Sequence, residues 1–197
     1  VYSRIKRVLD ILFSLILLLL SLPIIFISCV IIFFEENGPI FYSQIRTGFM
    51  GKPFKIWKIR SMRLDSEPDG AVWSSKNDNR VLRFGRFLRR SRIDELPQLI
   101  SVIIGDMSLI GPRPERPELE VDLIKKLPNY MYRYKVKPGL SGWAQINYPY
   151  GASFQDSKNK LSYDFFYIFD YSFGLDLIIF FKTIRIIFGG GGSKPIK

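Results

Sequence analysis

The chain has 197 residues, with 47% apolar residues, 29 Lys and Arg against 18 Asp and Glu, and a net charge of +11. That is enough apolar material for one packed domain, and too much for a basic disordered chain. With no histidine and a single cysteine (Cys29), it has no internal disulfide, no zinc cluster and no imidazole base, while its charge favours anionic partners.

The first element is apolar. Residues 11–34 carry no charge, and 24 residues suffice to span a bilayer as a helix. The run is too long for the apolar core of a signal peptide. Pro23 stands near its middle, in Ser21-Leu22-Pro23. Proline has no N–H and clashes with the carbonyl four residues back, so a kink is expected, with the Ser21 hydroxyl serving the freed carbonyls. Each arm of the kink is about 16–18 Å long, half the hydrocarbon thickness. Arg4, Lys6 and Arg7 precede the run, and Arg46, Lys52, Lys55 and Lys58 follow it. Cationic flanks on both sides fit two ends on one face of the membrane. A re-entrant helix hairpin is therefore expected, with a simple span as the alternative. Asp10 at its edge is expected to play a structural part.

Next come short strands and turns. Asn37-Gly38-Pro39 and Gly51-Lys52-Pro53 are turn signals, and the alternation in "PFKIWKI" predicts a strand. Residues 63–79 are polar and read as a mobile loop. Arg83, Arg86 and Arg90 share one face of a short amphipathic helix. Six arginines fall between Arg80 and Arg92, and then come two acids, Asp94 and Glu95. The structural reading makes Asp94 a helix N-cap, worth about 1 kcal/mol, for a helix ending at Gly105. The chemical reading makes it a nucleophile in phosphoryl transfer, kept ionised by arginines and helix N–H groups, with a second acid for Mg²⁺. Pro112, Pro114 and Pro117 then stiffen the backbone and fix the direction of Arg113. A helix over 119–127 is predicted, and residues 137–153 read as a Gly- and Pro-punctuated loop. Residues 163–188 mix aromatics with Asp164, Asp170, Asp176, Lys182 and Arg185, a pattern for helices lying in a membrane interface. A Gly-rich tail closes the chain.

Several spaced motifs, in order, carry a resemblance: "KIRSM", "SRIDELPQL", "GDMSLIGPRPE" and "PGLSGWAQIN", after an apolar segment with "SLP". Together they closely resemble the bacterial monotopic phosphoglycosyl transferases over nearly the whole chain, in particular the catalytic module of longer members. The resemblance implies an α+β, predominantly helical fold. It would comprise a re-entrant membrane helix broken at Ser21–Pro23 (residues 1–36), a catalytic domain with a small β-hairpin and interfacial helices on the cytoplasmic face of the inner membrane (37–188), and a flexible tail (189–197). It implies that Asp94 attacks the β-phosphate of a UDP-sugar, releasing UMP. Polyprenyl (undecaprenyl) phosphate then takes the phosphosugar, the first membrane step of a glycan assembly. Glu95 matches the second acid of the dyad, associated with Mg²⁺. Arg113, between Pro112 and Pro114, matches a motif near the active site, and Lys58, Arg60 and Arg92 are candidate phosphate contacts. A UDP-hexose is the sugar donor suggested. The expected partners are these substrates and membrane lipids, and no nucleic acid. Oligomeric state is left open, a dimer included. The competing class is a non-enzymatic basic module that binds anionic lipid or nucleic acid; it predicts no consequence of Asp94→Asn.

Overall fold

A computed structural model describes residues 2–64, 66, 78–149, 151 and 153–189. Most of the polar loop expected at 63–79, and the tail beyond Gly189, lie outside the described residues.

The N-terminal segment forms one helix, α1 (Tyr2–Glu35), with Pro23 inside it. The expected break into two arms is not present as a gap in the helix. The Ser21 hydroxyl donates to the Leu18 carbonyl at 3.0 Å, a back-bond of the kind that bends helices. Buried residues recur along one face, at Lys6, Asp10, Ser14, Ser21, Ser28 and Ile32, while Leu19, Leu20, Phe26 and Phe34 are exposed. Both ends hold the same body. Near the start, Lys6 pairs with Asp176, Arg7 donates to the Ile103 carbonyl at 2.7 Å, and Asp10 accepts from the Leu109 N–H at 3.1 Å. Asp10 is thus structural, as expected. Near the end, Ile32 packs with Ile59, Leu82 and Leu88, and Glu35 accepts from the Arg83 N–H at 2.6 Å.

Strands β1 (Phe41–Thr47) and β2 (Pro53–Ile59) form the antiparallel hairpin, in register Phe41↔Ile59 to Thr47↔Pro53. Alternation puts Phe54, Ile56 and Lys58 on one face of β2. Helix α2 (Arg83–Ser91) carries the arginines and buries Gly85 and Leu88. A 3₁₀ turn, Ile93–Gln98, leads into α3 (Leu99–Ile104), which ends at Gly105 in the left-handed region, φ 107°. Then follow β3 (Ser108–Ile110), α4 (Pro117–Lys126) and a 3₁₀ turn at Tyr130–Lys135. The segment expected to be an irregular loop contains β4 (Gly139–Ser141) and α5 (Trp143–Asn147). β4 pairs in parallel with β3, Ser108 opposite Gly139 and Ile110 opposite Ser141. A Cβ on Gly139 would come within 2.0 Å of the Gly111 nitrogen, so this approach requires glycine. Helices α6 (Phe154–Phe169) and α7 (Phe173–Phe188) complete the fold; Ser153 and Asp156 form a capping box on α6. Phe169, Phe173, Phe181 and Ile184 are exposed on these two helices, and Ile100 and Ile104 on α3.

Candidate active site

The acidic pair sits where three elements meet. Arg92, the last residue of the α2 turn, adopts φ 61° and ψ 16°, a left-handed conformation that costs a non-glycine residue roughly 1–2 kcal/mol. This bend turns the chain from α2 into the 3₁₀ turn that packs on β2, α1 and α2. Pro97 is the fifth residue of this turn and brings no N–H to it. Asp94 and Glu95 are each only 6% exposed.

The expected helix cap is not what forms. Asp94 lies inside the 3₁₀ turn, the capping position belongs to Arg92, and no side chain caps the turn. Nor is Asp94 held at low pKa. Burial, and then the like charge of Glu95, push its carboxyl up to about 6, against the pull of Lys58, Arg92 and Arg89. Its Oδ1 is buried and has no hydrogen-bond partner.

Glu95 is the opposite case. Its Oε1 accepts from Lys58 Nζ at 2.7 Å and from Arg113 Nη2 at 2.5 Å. Its Oε2 lies 3.4 Å from Arg113 Nη1 and 3.6 Å from Arg92 Nη1. Burial raises its pKa, but the charges of Arg113, Lys58 and Arg92 win and hold it well below the usual carboxylate range. The two acids are thus driven apart: one held in its ionised form by neighbouring cations, the other desolvated with an oxygen unpartnered. Divergent environments of this kind mark paired carboxylates with different roles. Among the described residues no three Asp, Glu or Cys side chains converge as a metal cluster.

The elements explain how the cations arrive. Lys58 is carried inward by the alternation of β2, and burial lowers its pKa. Arg113 arrives on a loop whose four successive carbonyls are all bonded. Pro112 accepts from the Gly139 N–H at 2.9 Å, Arg113 from Arg133 at 2.8 Å, Pro114 from Arg46 at 3.1 Å and Glu115 from the Thr47 N–H at 3.0 Å. Pro112 and Pro114 therefore act through the backbone, aiming Arg113 at Glu95. Arg60, by contrast, is directed to the end of α1. It donates to the Glu36 carbonyl, and its Nη1 lies 3.7 Å from the Glu36 carboxylate. Its place is that of a helix C-terminal cation rather than a member of the acidic cluster. Ser21 and Pro23 stay within α1.

Sequence reading overlooked the residues behind the loop. Arg133, on the turn Tyr130–Lys135, reaches Arg113 from beneath and is itself held by Asp164 at 3.0 Å. Tyr167 Oη lies within hydrogen-bond distance of the Ile110 carbonyl, at 3.0 Å, and of Asp176, at 2.8 Å, so its one O–H links α6 with β3 and α7. A signal was available for neither, since an arginine in "YMYRYK" reads as a solvated cation.

Known proteins share this sequence over most of its length. The family model described as bacterial sugar transferase matches residues 1–190. The chain is 44% identical over 194 residues to the UDP-N-acetylgalactosamine-undecaprenyl-phosphate N-acetylgalactosaminephosphotransferase of Aeromonas hydrophila, covering 98% of this chain and 46% of that protein. It is 52% identical over 132 residues to a putative undecaprenyl-phosphate N-acetylgalactosaminyl 1-phosphate transferase of Bacillus subtilis, covering 67% and 74%. It is 39% identical over 181 residues to the UDP-glucose:undecaprenyl-phosphate glucose-1-phosphate transferase of Klebsiella pneumoniae, covering 91% and 39%. The chain thus spans less than half the length of the Aeromonas and Klebsiella relatives. A paired-carboxylate site beside a long apolar helix, and a match over nearly every residue, lead to one conclusion: the chain belongs to the bacterial sugar transferase family.

Proposed function

We propose that the chain transfers a sugar 1-phosphate from a UDP-sugar to undecaprenyl phosphate, with Asp94 as the covalent nucleophile. The observation that carries this is Asp94 Oδ1, buried and unpartnered beside a carboxylate whose charge is already met. In the first step a carboxylate oxygen of Asp94 bonds to the β-phosphorus. The bond from that phosphorus to the oxygen bridging to the α-phosphate breaks, and UMP leaves with the electron pair. In the second step an oxygen of undecaprenyl phosphate attacks the same phosphorus and expels the Asp94 carboxylate. No imidazole is needed, because the acceptor oxygen is already ionised. Lys58, Arg92 and Arg113 offset the charge that gathers when two phosphorylated substrates meet a carboxylate. Relatives named for N-acetylgalactosamine and for glucose make both UDP-sugars candidates, beside the simple UDP-hexose that the sequence suggests.

Mg²⁺ belongs to the same proposal, and the residues fit it. Glu95 Oε2, whose nearest cations stand at 3.4 and 3.6 Å, can turn to a divalent ion more easily than Oε1. A single carboxylate would leave the other ligand positions to phosphate oxygens and water, a usual pattern for Mg²⁺. When bound, the ion would neutralise the diphosphate and stabilise the leaving UMP.

The apolar surface of α1, α3 and α7 sits in the cytoplasmic face of the inner membrane, with α1 entering and leaving by that face. This puts Asp94 at headgroup depth, where a water-soluble donor and a lipid acceptor can both reach it. The test is a panel of UDP-sugars with undecaprenyl phosphate and Mg²⁺, read as UMP release. At least one sugar is turned over, and Asp94→Asn lowers that rate by 10³-fold or more. Unchanged release by Asp94→Asn excludes the mechanism.

A further inference from the structure

Behind the active-site loop lies a buried charged cluster for which the transfer chemistry has no direct use. Arg133 is buried, and its guanidinium meets four groups. Nη2 donates to the Arg113 carbonyl at 2.8 Å and to Asp164 Oδ2 at 3.0 Å. Nη1 donates to Tyr130 Oη at 2.5 Å and lies 3.5 Å from Glu120 Oε1. Tyr130 in turn donates to Glu120 at 3.1 Å. Three charged side chains taken from water are an expensive way to fill a core, because each loses its hydration. Apolar residues of the same volume would pack there with less penalty. What they could not do is hold a carbonyl.

Of the four bonds that hold the loop, the one to the Arg113 carbonyl comes from Arg133. A void of about 10 Å³, room for roughly one water, lies between Pro112, Arg113 and Pro114 above and Glu120, Arg133 and Tyr134 below. At its centre the contact from below is the Arg133 bond. The Arg113 side chain leaves that same residue towards Glu95, 2.5 Å away. A displacement of the Arg113 backbone moves the anchor from which its guanidinium reaches Glu95.

We propose that Arg133, fixed by Asp164 and Glu120, is a positioning residue that holds the Arg113 guanidinium against Glu95 beside Asp94. The helices α4 and α6 thereby reach the reacting pair through one arginine and one carbonyl. The kinetic consequence rests on the transferase reading; the geometric part does not.

The test combines a double-mutant cycle with a structure of one variant, using the full chain in lipid nanodiscs. With a turned-over UDP-sugar, Arg133→Gln lowers kcat about 30- to 100-fold, the order of loss from an ångström-scale misplacement. Arg113→Gln alone gives a comparable loss. In the Arg113→Gln background, adding Arg133→Gln changes the rate less than about threefold, because the element it positions is already gone. Losses that multiply in the double variant overturn the proposal and make Arg133 merely structural. Asp164→Asn keeps the shape of the cluster and serves the same cycle if Arg133→Gln does not fold. The structure of the Arg133→Gln or Asp164→Asn variant gives the answer without turnover: the Arg113–Glu95 contact is lost or lengthened. An unchanged contact overturns the proposal. A wild-type chain that turns over no UDP-sugar would refute the transferase reading and leave this structural arm decisive.

Discussion

At the scale of residues, two neighbours in the sequence have opposite environments. Glu95 has Lys58 and Arg113 within hydrogen-bond distance, and Asp94 has a buried oxygen with none. Burial pushes Asp94 up to about 6, so if it is the nucleophile the rate with a UDP-sugar falls as pH drops through about 6. Glu95 is held far below that and contributes no inflection there. Asp164 is also pushed up to about 6 by burial, so a pH profile of Asp164→Asn separates the two. The acidic limb keeps its position in that variant if Asp94 is its source. The same shift has a stability sign. The folded state holds the Asp94 proton more tightly than the unfolded chain, whose value is near 3.8. The penalty is absent below about pH 4, grows between about 4 and 6, and is full at neutral pH. Asp94→Asn should therefore stabilise the fold at pH 7.5 by on the order of 2 kcal/mol, a gain that disappears by pH 3.5. Thermal unfolding at the two pH values checks this. An equal effect at both would mean that Asp94 is not desolvated.

Among the elements, patterns of period and punctuation were legible and long-range polar contacts were not. The alternation of "PFKIWKI" predicts β2, and the helix expected over 119–127 appears as α4 (Pro117–Lys126). The arginine-bearing helix and the stop at Gly105 also stand. The segment 137–153 was misread because Gly139 and Gly142, which look like turn residues, permit the close packing of β4 on the chain at Gly111. The cap expected at Asp94 fails because Arg92 takes the bend in its own backbone. Asp94, Glu95, Lys58, Arg92 and Arg113 could be assembled from motifs, but Arg133 could not. Its partners Asp164 and Arg113 are 31 and 20 residues away, and no local pattern records them. Within α1, the expectation that concerns function is direction. If α1 enters and leaves by one face, cysteines at Ser3 and Met50, in a Cys29→Ser background, both stay unlabelled when an impermeant maleimide is added outside intact cells. Labelling of either site means that α1 spans.

Over the whole molecule, the two ends of α1 grip one body. Lys6 and Asp10 hold α7 and β3, and Ile32 and Glu35 hold β2 and α2. The acidic pair is built from elements that α1 touches, so the apolar helix and the two carboxylates form one unit. On our proposal this unit passes a phosphosugar from water to lipid through a covalent stage. Intact-protein mass spectrometry after incubation with a UDP-sugar and Mg²⁺, with no lipid acceptor, tests this most directly. The covalent mechanism predicts a mass increase of one sugar phosphate, mapping to Asp94, absent from Asp94→Asn and discharged by undecaprenyl phosphate. An unmodified protein, from a preparation that releases UMP only when the acceptor is present, would contradict it.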